Sequence, residues 1–243
     1  MSANRYFQHA FEVLESLRLD TSTLQEVAQV FAEAIVQDKL IYTFGTGHSS
    51  LLAAEGLYRA GGLACVSAIL EPSTTSELGM IAGSSFERLQ GQATLILERY
   101  PITAGDVLVI YSNSGVNALP VEMAQEARAR GLITVAVMSL QYSKQAPVTS
   151  KTAQTLGDVA DYVIDNHVPP GDAVVEFYND TLRAGAVSNV AGAFIWNALV
   201  AETVALLEEK GVKAPVYISS NMPGAKEHNK VLVEKYRRRI RHL

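Results

Sequence analysis

Two short stretches of the sequence combine glycine with hydroxyl side chains in a pattern typical of anion-binding loops. The first is G-T-G-H-S-S at residues 45–50, and the second is S-N-S-G-V-N at residues 112–117. Each follows an apolar run and precedes a helix-like segment, so unpaired backbone N–H groups at the start of a helix would face a ligand. Glycine allows that ligand to approach the backbone closely, and hydroxyls add further donors. The pair of stretches therefore predicts a phosphate site.

The residue types restrict which phosphate compound would fit. No Gly-Lys-Ser/Thr follows the first stretch, and a third glycine is absent, so it matches neither a nucleoside triphosphate loop nor a dinucleotide fingerprint. The candidate donors are neutral: Ser49, Ser50, Ser112, Asn113 and Ser114. Such donors suit a small phosphate ester better than a nucleoside triphosphate. Taken alone, the first stretch is equally compatible with a tight turn that binds nothing.

The surrounding pattern predicts the elements that would position both loops. Five apolar runs without alternation indicate strands covered on both faces, at residues 39–45, 64–70, 106–112, 132–139 and 161–166. Helical patterns follow at 48–60 and 117–130. This alternation predicts an α/β fold with a doubly wound parallel sheet flanked by helices. In such a sheet, ligands lie outside the carboxyl ends of the strands, so the two loops could face one phosphate.

The remaining segments complete a chain that we expect to form one domain, residues 1–243. An N-terminal helical hairpin over 1–38 precedes the α/β core at 39–210, and its second helix is introduced by Ser22 and Gln25 as a capping box. A short strand is predicted at 172–177, followed by a loop and then a helix at 187–210 that is apolar on nearly every face. A strand-like run and a final helix occupy 211–243. No linker or internal repeat divides these parts.

With both motifs in strand-to-helix turns about 65 residues apart, the chain resembles the SIS (sugar isomerase) domain family, and phosphoheptose isomerases in particular. The resemblance runs from about residue 35 to 210 and implies a Rossmann-like fold that binds a sugar phosphate. It also implies that sites form between subunits, so a homodimer or larger oligomer is expected. His48 and Asn117 depart from the family pattern. The predicted phosphate-binding residues are Gly47, His48, Ser49, Ser50, Ser112, Asn113, Ser114, Gly115 and Asn117.

Isomerisation of an aldose to a ketose needs a base that moves a proton between neighbouring carbons. Glu55 is one candidate, because it follows His48 by seven residues on the same predicted helix. A salt bridge to Arg59 at i+4 is an equally good explanation for this glutamate. His228 is the second candidate, because it lies in a polar cluster at the start of the last helix and a histidine side chain can both accept and donate a proton in general acid–base catalysis. A structural cap would explain His228 as well.

Other polar residues are weaker candidates. Glu71 and Glu77 in the loop after the second strand could contact sugar hydroxyls, or the loop could simply be solvated. The histidines lack metal-ligand spacing, so no metal and no cofactor are predicted. The single cysteine, Cys65, lies in an apolar run and is expected to be a small buried hydrophobic residue.

Composition limits the partners and the compartment. The net charge of −5 argues against sequence-independent nucleic-acid binding, and the basic C-terminal segment is best explained as a solvated last helical turn. Apolar stretches are interrupted well before the ~20 residues that a membrane span needs, and charges occupy the first twenty positions. We therefore expect a cytoplasmic protein without a membrane partner.

Together, these features predict a phosphosugar-binding enzyme, and an aldose–ketose isomerase first of all. A lyase or etherase acting on an amino-sugar phosphate would use the same phosphate clamp and carboxylate. A sensor that binds a sugar phosphate without converting it is the third possibility, although no DNA-binding segment is recognised in the sequence.

Overall fold

A computed structural model describes residues 1–75, 77 and 79–243. Its central sheet has five parallel strands in the order β2-β1-β3-β4-β5. They span Ile41–Gly45 (β1), Val66–Ile69 (β2), Val107–Tyr111 (β3), Ile133–Met138 (β4) and Tyr162–Asp165 (β5). Nearly every residue of β1 to β4 is buried, as expected for strands covered on both faces. The prediction of a doubly wound α/β sheet is confirmed.

Helices cover both faces of this sheet. They span Ser2–Leu19 (α1), Ser22–Val36 (α2), Ser49–Glu55 (α3), Met80–Phe86 (α4), Gln92–Leu97 (α5), Ala118–Ala129 (α6), Leu140–Ser143 (α7), Leu156–Val159 (α8), Ser188–Glu209 (α9) and Ala225–Tyr236 (α10). A short 3-10 turn covers Pro72–Thr74. On one face α9 packs against α1, α2 and α3, and on the other α6 packs against α5 and α8.

The apolar helix α9 lies in the protein core. The fully buried Trp196 packs on Phe31 of α2, with ring centroids 6.1 Å apart. Among the described helices, α9 is the one long and apolar enough to cross a membrane, and 44% of its most apolar window is buried inside the protein. Cys65 is also fully buried, as predicted, and burial raises the pKa of its thiol to about 12.

The N-terminal hairpin is present, but its capping differs from the prediction. The Ser22–Gln25 capping box is wrong, because Thr21 takes the N-cap position and its backbone carbonyl accepts the Gln25 N–H at 3.0 Å. On α1, the buried residues are Ala10, Val13 and Leu17. Phe7 and Phe11 of the same helix are 55% and 68% exposed, so these two large apolar side chains lie outside the core.

Two strand predictions also need correction. The strand at 172–177 exists as Ala173–Phe177 (β6), but the segment after it is a further strand, Leu182–Ala186 (β7), where a loop was expected. These two pair antiparallel in a separate sheet. The strand-like run at 215–221 forms only one isolated bridge, between Val216 and Leu63. Its neighbouring residues extend no ladder with the main sheet, so the run is an ordered loop.

Candidate functional site

The two predicted loops meet where the strand order reverses. Strands β1 and β3 are neighbours in the sheet, and the chain leaves β1 towards β2 on one side and β3 towards β4 on the other. The loops that follow β1 and β3 therefore diverge and leave a crevice at the carboxyl edge of the sheet, which is where open α/β sheets bind ligands.

A cleft of about 390 Å³ occupies this crevice. Its walls come from the two loops, from the segment 74–87 that includes α4, from Tyr142 of α7, and from Gly171 and Asp172 just before residue 173. The lining residues are Thr46, Gly47, His48, Ser49, Thr74, Thr75, Met80, Gly83, Ser84, Glu87, Ser112, Asn113, Ser114, Asn117, Tyr142, Gly171 and Asp172. None of these described residues is a lysine or an arginine, so donors to an anion would be peptide N–H groups, hydroxyls, amides and His48.

The first loop is held in place by its own hydrogen bonds. Gly47 has a positive φ of 53° and donates its N–H to the carbonyl of Thr74 at 2.7 Å. The hydroxyl of Ser50 donates to the carbonyl of Gly47 at 2.6 Å, so this side chain stabilises the turn and does not line the cleft. His48 and Ser49 do line it. Gly45, at the end of β1, has no room for a Cβ, which would clash with the backbone of Ser49.

The second loop offers a series of peptide donors. Gly115 adopts the left-handed conformation at φ 64° and is buried together with Val116. Among the described residues, nothing accepts a hydrogen bond from the peptide N–H groups of residues 113–116. Buried N–H groups without partners are rare in proteins, and consecutive ones around a left-handed residue form an anion-binding nest. The loop geometry is therefore suited to an anion.

In the second loop, the serine hydroxyls are available to a ligand, whereas the asparagine side chains are bonded within the protein. Ser112 and Ser114 line the cleft, and within the described part of the chain their hydroxyls make no hydrogen bond. Asn113 accepts a bond from Asn166 at 2.9 Å. Asn117 donates its amide to the carboxylate of Glu87, also at 2.9 Å, so that donor is engaged within the protein. Gly115 shapes the loop but does not itself line the cleft.

Two carboxylates that sequence reasoning missed line the cleft. Glu87, at the end of α4, accepts hydrogen bonds from Thr46 at 2.6 Å and Asn117 at 2.9 Å. Asp172 caps the start of α9, where it accepts bonds from the N–H groups of Val187 and Ser188 and from the Ser188 hydroxyl. Neither residue stands in a recognisable motif. Only the fold brings them to the loops.

The two proposed catalytic residues lie away from this cleft. Glu55 is at the far end of α3 and forms a salt bridge with Arg59, the pairing that the i+4 spacing also predicts. His228 hydrogen-bonds through Nε2 to the carbonyl of Val216 at 2.8 Å. The segment that contains Val216 joins residues 61–64, just before β2, and this is the amino edge of the sheet. The structure therefore brings neither residue to the phosphate loops of its own chain.

In the loop after β2, the two predicted glutamates lie outside the cleft and two threonines line it. Glu71 forms a salt bridge with Arg99 and accepts a bond from Ser73, and it does not line the cleft. Glu77 is exposed, and Ser76 lies outside the described residues. Thr74 and Thr75 of the same loop do line the cleft. Over the described ranges, no group of three or more His, Cys, Asp or Glu residues could hold a metal ion.

Sequence comparisons match the chain to known proteins over nearly its whole length. A UPF0309 protein of Brucella canis is 43% identical over 241 residues, which cover 99% of this chain and 98% of that protein. A UPF0309 protein of Brucella anthropi is 44% identical with the same coverage.

Comparison with solved structures gives the same fold. The phosphoheptose isomerase GmhA from Neisseria gonorrhoeae matches with a TM-score of 0.54 and 18% identity, covering 82% of this chain and 96% of that one. The sugar isomerase domain of the RpiR transcription factor from Sphaerobacter thermophilus matches with a TM-score of 0.52 and 14% identity, covering 97% and 98%. The family model of the SIS domain matches residues 5–139. The resemblance is thus confirmed, and the chain belongs to the SIS domain family.

Proposed function

We propose that the protein binds a sugar phosphate in the cleft between its two loops and isomerises it between aldose and ketose forms. The observation that carries the proposal is the second loop, where the peptide N–H groups of residues 113–116 find no acceptor among the described residues. A phosphate monoester would supply oxygens to several of them at once.

The chemistry of the cleft supports a small, singly phosphorylated ligand. Its volume of about 390 Å³ is near the lower end of the usual range for small-molecule sites, about 300–1,000 Å³. Ser49, Ser112 and Ser114 offer hydroxyls to the phosphate beside the free N–H groups. Thr74, Thr75 and Tyr142 offer further hydroxyls for the sugar. Of the predicted phosphate-binding residues, Ser50, Gly115 and Asn117 would act by shaping the loops.

The proton-transfer step in this proposal involves Glu55 and His228, contributed by a second copy of the chain. Their distance from the cleft of their own chain means that they could reach a substrate only across a subunit interface. A homodimer or larger assembly is therefore part of the proposal. We further propose that residues 1–243 act as one cytoplasmic domain without a cofactor.

A sensor function is the second candidate, and one observation favours it. Both carboxylates that line the cleft are already hydrogen-bonded within the protein, Glu87 to the side chains of Thr46, Asn117 and Arg88, and Asp172 to the start of α9. With both of these carboxylates engaged in structural hydrogen bonds, the cleft of one chain would hold a ligand without offering it a free carboxylate base. The lyase or etherase alternative would also require a carboxylate free to remove a proton.

The test combines product analysis with solvent exchange. A panel of aldose and ketose phosphates and amino-sugar phosphates is incubated with the protein in deuterated water, and products are identified by mass spectrometry and NMR. An isomerase incorporates deuterium at the carbon beside the carbonyl, whereas an etherase or lyase releases a leaving group. Binding without exchange or turnover across the panel would favour the sensor.

Two variants then test the proposed bases. Glu55→Gln should abolish exchange while leaving sugar-phosphate binding nearly intact, because the amide keeps the shape and loses the base. His228→Asn should lower the rate by about 10²–10⁴-fold if it acts as a general acid–base. Exchange that persists in Glu55→Gln would mean that the base is elsewhere.

A further inference from the structure

Glu87 connects the two loops of the cleft. Its carboxylate accepts the Thr46 hydroxyl of the first loop at 2.6 Å and the Asn117 amide of the second at 2.9 Å. The guanidinium of the neighbouring Arg88 also contacts it, at 3.1 Å. Its backbone carbonyl accepts the N–H of Leu119, in the first turn of α6, at 3.0 Å. The side chain of Glu87 is 15% exposed, so water competes little for these bonds. A single residue at the end of α4 thus bonds to the segments that follow both β1 and β3.

We propose that Glu87 is a positioning residue that sets the spacing and orientation of the two loops around a bound phosphate. The inference rests on the proposed binding of a phosphate ester in this cleft. After β1 and β3 the chain turns to opposite faces of the sheet, and each loop is then held separately. Gly47 donates to the carbonyl of Thr74, and the carbonyl of Gly115 accepts from Leu156, but neither bond joins one loop to the other. Among the described side chains, only that of Glu87 bonds to both Thr46 and Asn117. Bonds to an ionised carboxylate are short and directional, which suits this role.

Substitutions that remove the charge of Glu87 distinguish a positioning role from an electrostatic effect on the phosphate and from a role as catalytic base. A carboxylate near a phosphate dianion repels it, so removing the charge alone should strengthen binding. Glutamine keeps the bridge, because its amide oxygen can accept from Asn117 while its NH₂ donates to the Thr46 hydroxyl. Methionine has a similar length but provides no strong acceptor, and so it breaks both bonds. A base in catalysis, by contrast, would be lost in glutamine and methionine alike.

The experiment measures binding of inorganic phosphate, and of any sugar phosphate that the wild type binds, by isothermal titration calorimetry. Glu87→Met should weaken phosphate binding at least about tenfold, and Glu87→Gln should restore the affinity to within about threefold of wild type or improve it. Glu122→Met is the matched control. Glu122 accepts the N–H of Gly91 at 2.7 Å, away from the cleft, so this variant should keep wild-type phosphate affinity.

Each other outcome overturns the proposal. Wild-type affinity in a folded Glu87→Met would mean that the bridge does not position the loops. Equal losses in Glu87→Met and Glu122→Met would reflect general destabilisation. A loss of affinity in Glu87→Gln as large as in Glu87→Met would mean that the hydrogen-bond bridge, which glutamine keeps, does not position the loops. Turnover abolished in Glu87→Gln, together with wild-type phosphate affinity in Glu87→Met, would make Glu87 a base and not a positioning residue. A wild type that binds neither phosphate nor any sugar phosphate would refute the proposed function itself, and this result is visible before any variant is made.

Discussion

Gly115 is the position where a single methyl group should disturb both the fold and the phosphate site. Its φ of 64° is left-handed, which costs alanine about 1–2 kcal/mol. An added Cβ would also clash with the terminal methyl of Met138 and lie 3.0 Å from its sulfur. Met138 is fully buried, so it has little space to move, and overpacking of this kind costs about 1–3 kcal/mol. The two costs sum to about 2–5 kcal/mol.

For a protein of this size, that cost lowers the melting temperature of Gly115→Ala by roughly 4–20 °C. Gly211→Ala is the matched control, because Gly211 has a φ of 68° but an added Cβ there would meet no atom within 4 Å. The control should lose only the conformational part, roughly 2–8 °C. Calorimetric melting of both variants measures the difference, which reports the contact with Met138. Equal losses in the two variants would refute the packing argument.

The remaining predictions concern binding, assembly and the buried thiol. Replacing Ser112 and Ser114 together with alanine should remove charge-assisted bonds worth about 1.5–3 kcal/mol each and weaken sugar-phosphate binding at least about tenfold; unchanged affinity by calorimetry would contradict the assignment. Light scattering at micromolar concentration should give the mass of a dimer or larger assembly, and a monomeric mass would contradict the shared-site proposal. Because burial raises the pKa of Cys65 to about 12, iodoacetamide at pH 8 should label the folded protein at least about 10³-fold more slowly than the urea-unfolded chain. Mass spectrometry of the time course would detect rapid labelling of the folded protein, which would contradict this burial.

Local sequence patterns predicted the sheet and the places of the two loops, because each depends on a few consecutive residues. An unbroken apolar run such as 107–111 needs cover on both faces wherever it occurs, and a glycine-hydroxyl turn after it marks the strand's carboxyl end. Strand β7 was not predicted, because the turn that precedes it lacks such a local signal. Its hairpin turns through Tyr178, Asn179 and Asp180, which all have positive φ, and no glycine marks the turn in the sequence.

Glu87 could not have been found in this way, because its loop partners are distant in sequence. Its bond to Thr46 spans 41 positions and its bond to Asn117 spans 30. The short helices around it, α4 and α5, carry too few turns for a clear apolar period. Contacts of this kind arise from the order of strands in the sheet, and nothing near residue 87 encodes that order.

Glu55 illustrates the opposite difficulty, in which local reasoning gives two answers that do not exclude each other. The i+4 salt bridge with Arg59 is formed, yet both side chains remain partly exposed, at 29% for Glu55 and 43% for Arg59. An exposed pair of this kind contributes only about 0–1 kcal/mol, so a substrate or a second subunit could separate it at small cost. The salt bridge is therefore no argument against a catalytic role. What decides that role is whether another copy of the chain brings Glu55 to the cleft, and the deuterium-exchange experiment with Glu55→Gln tests this directly.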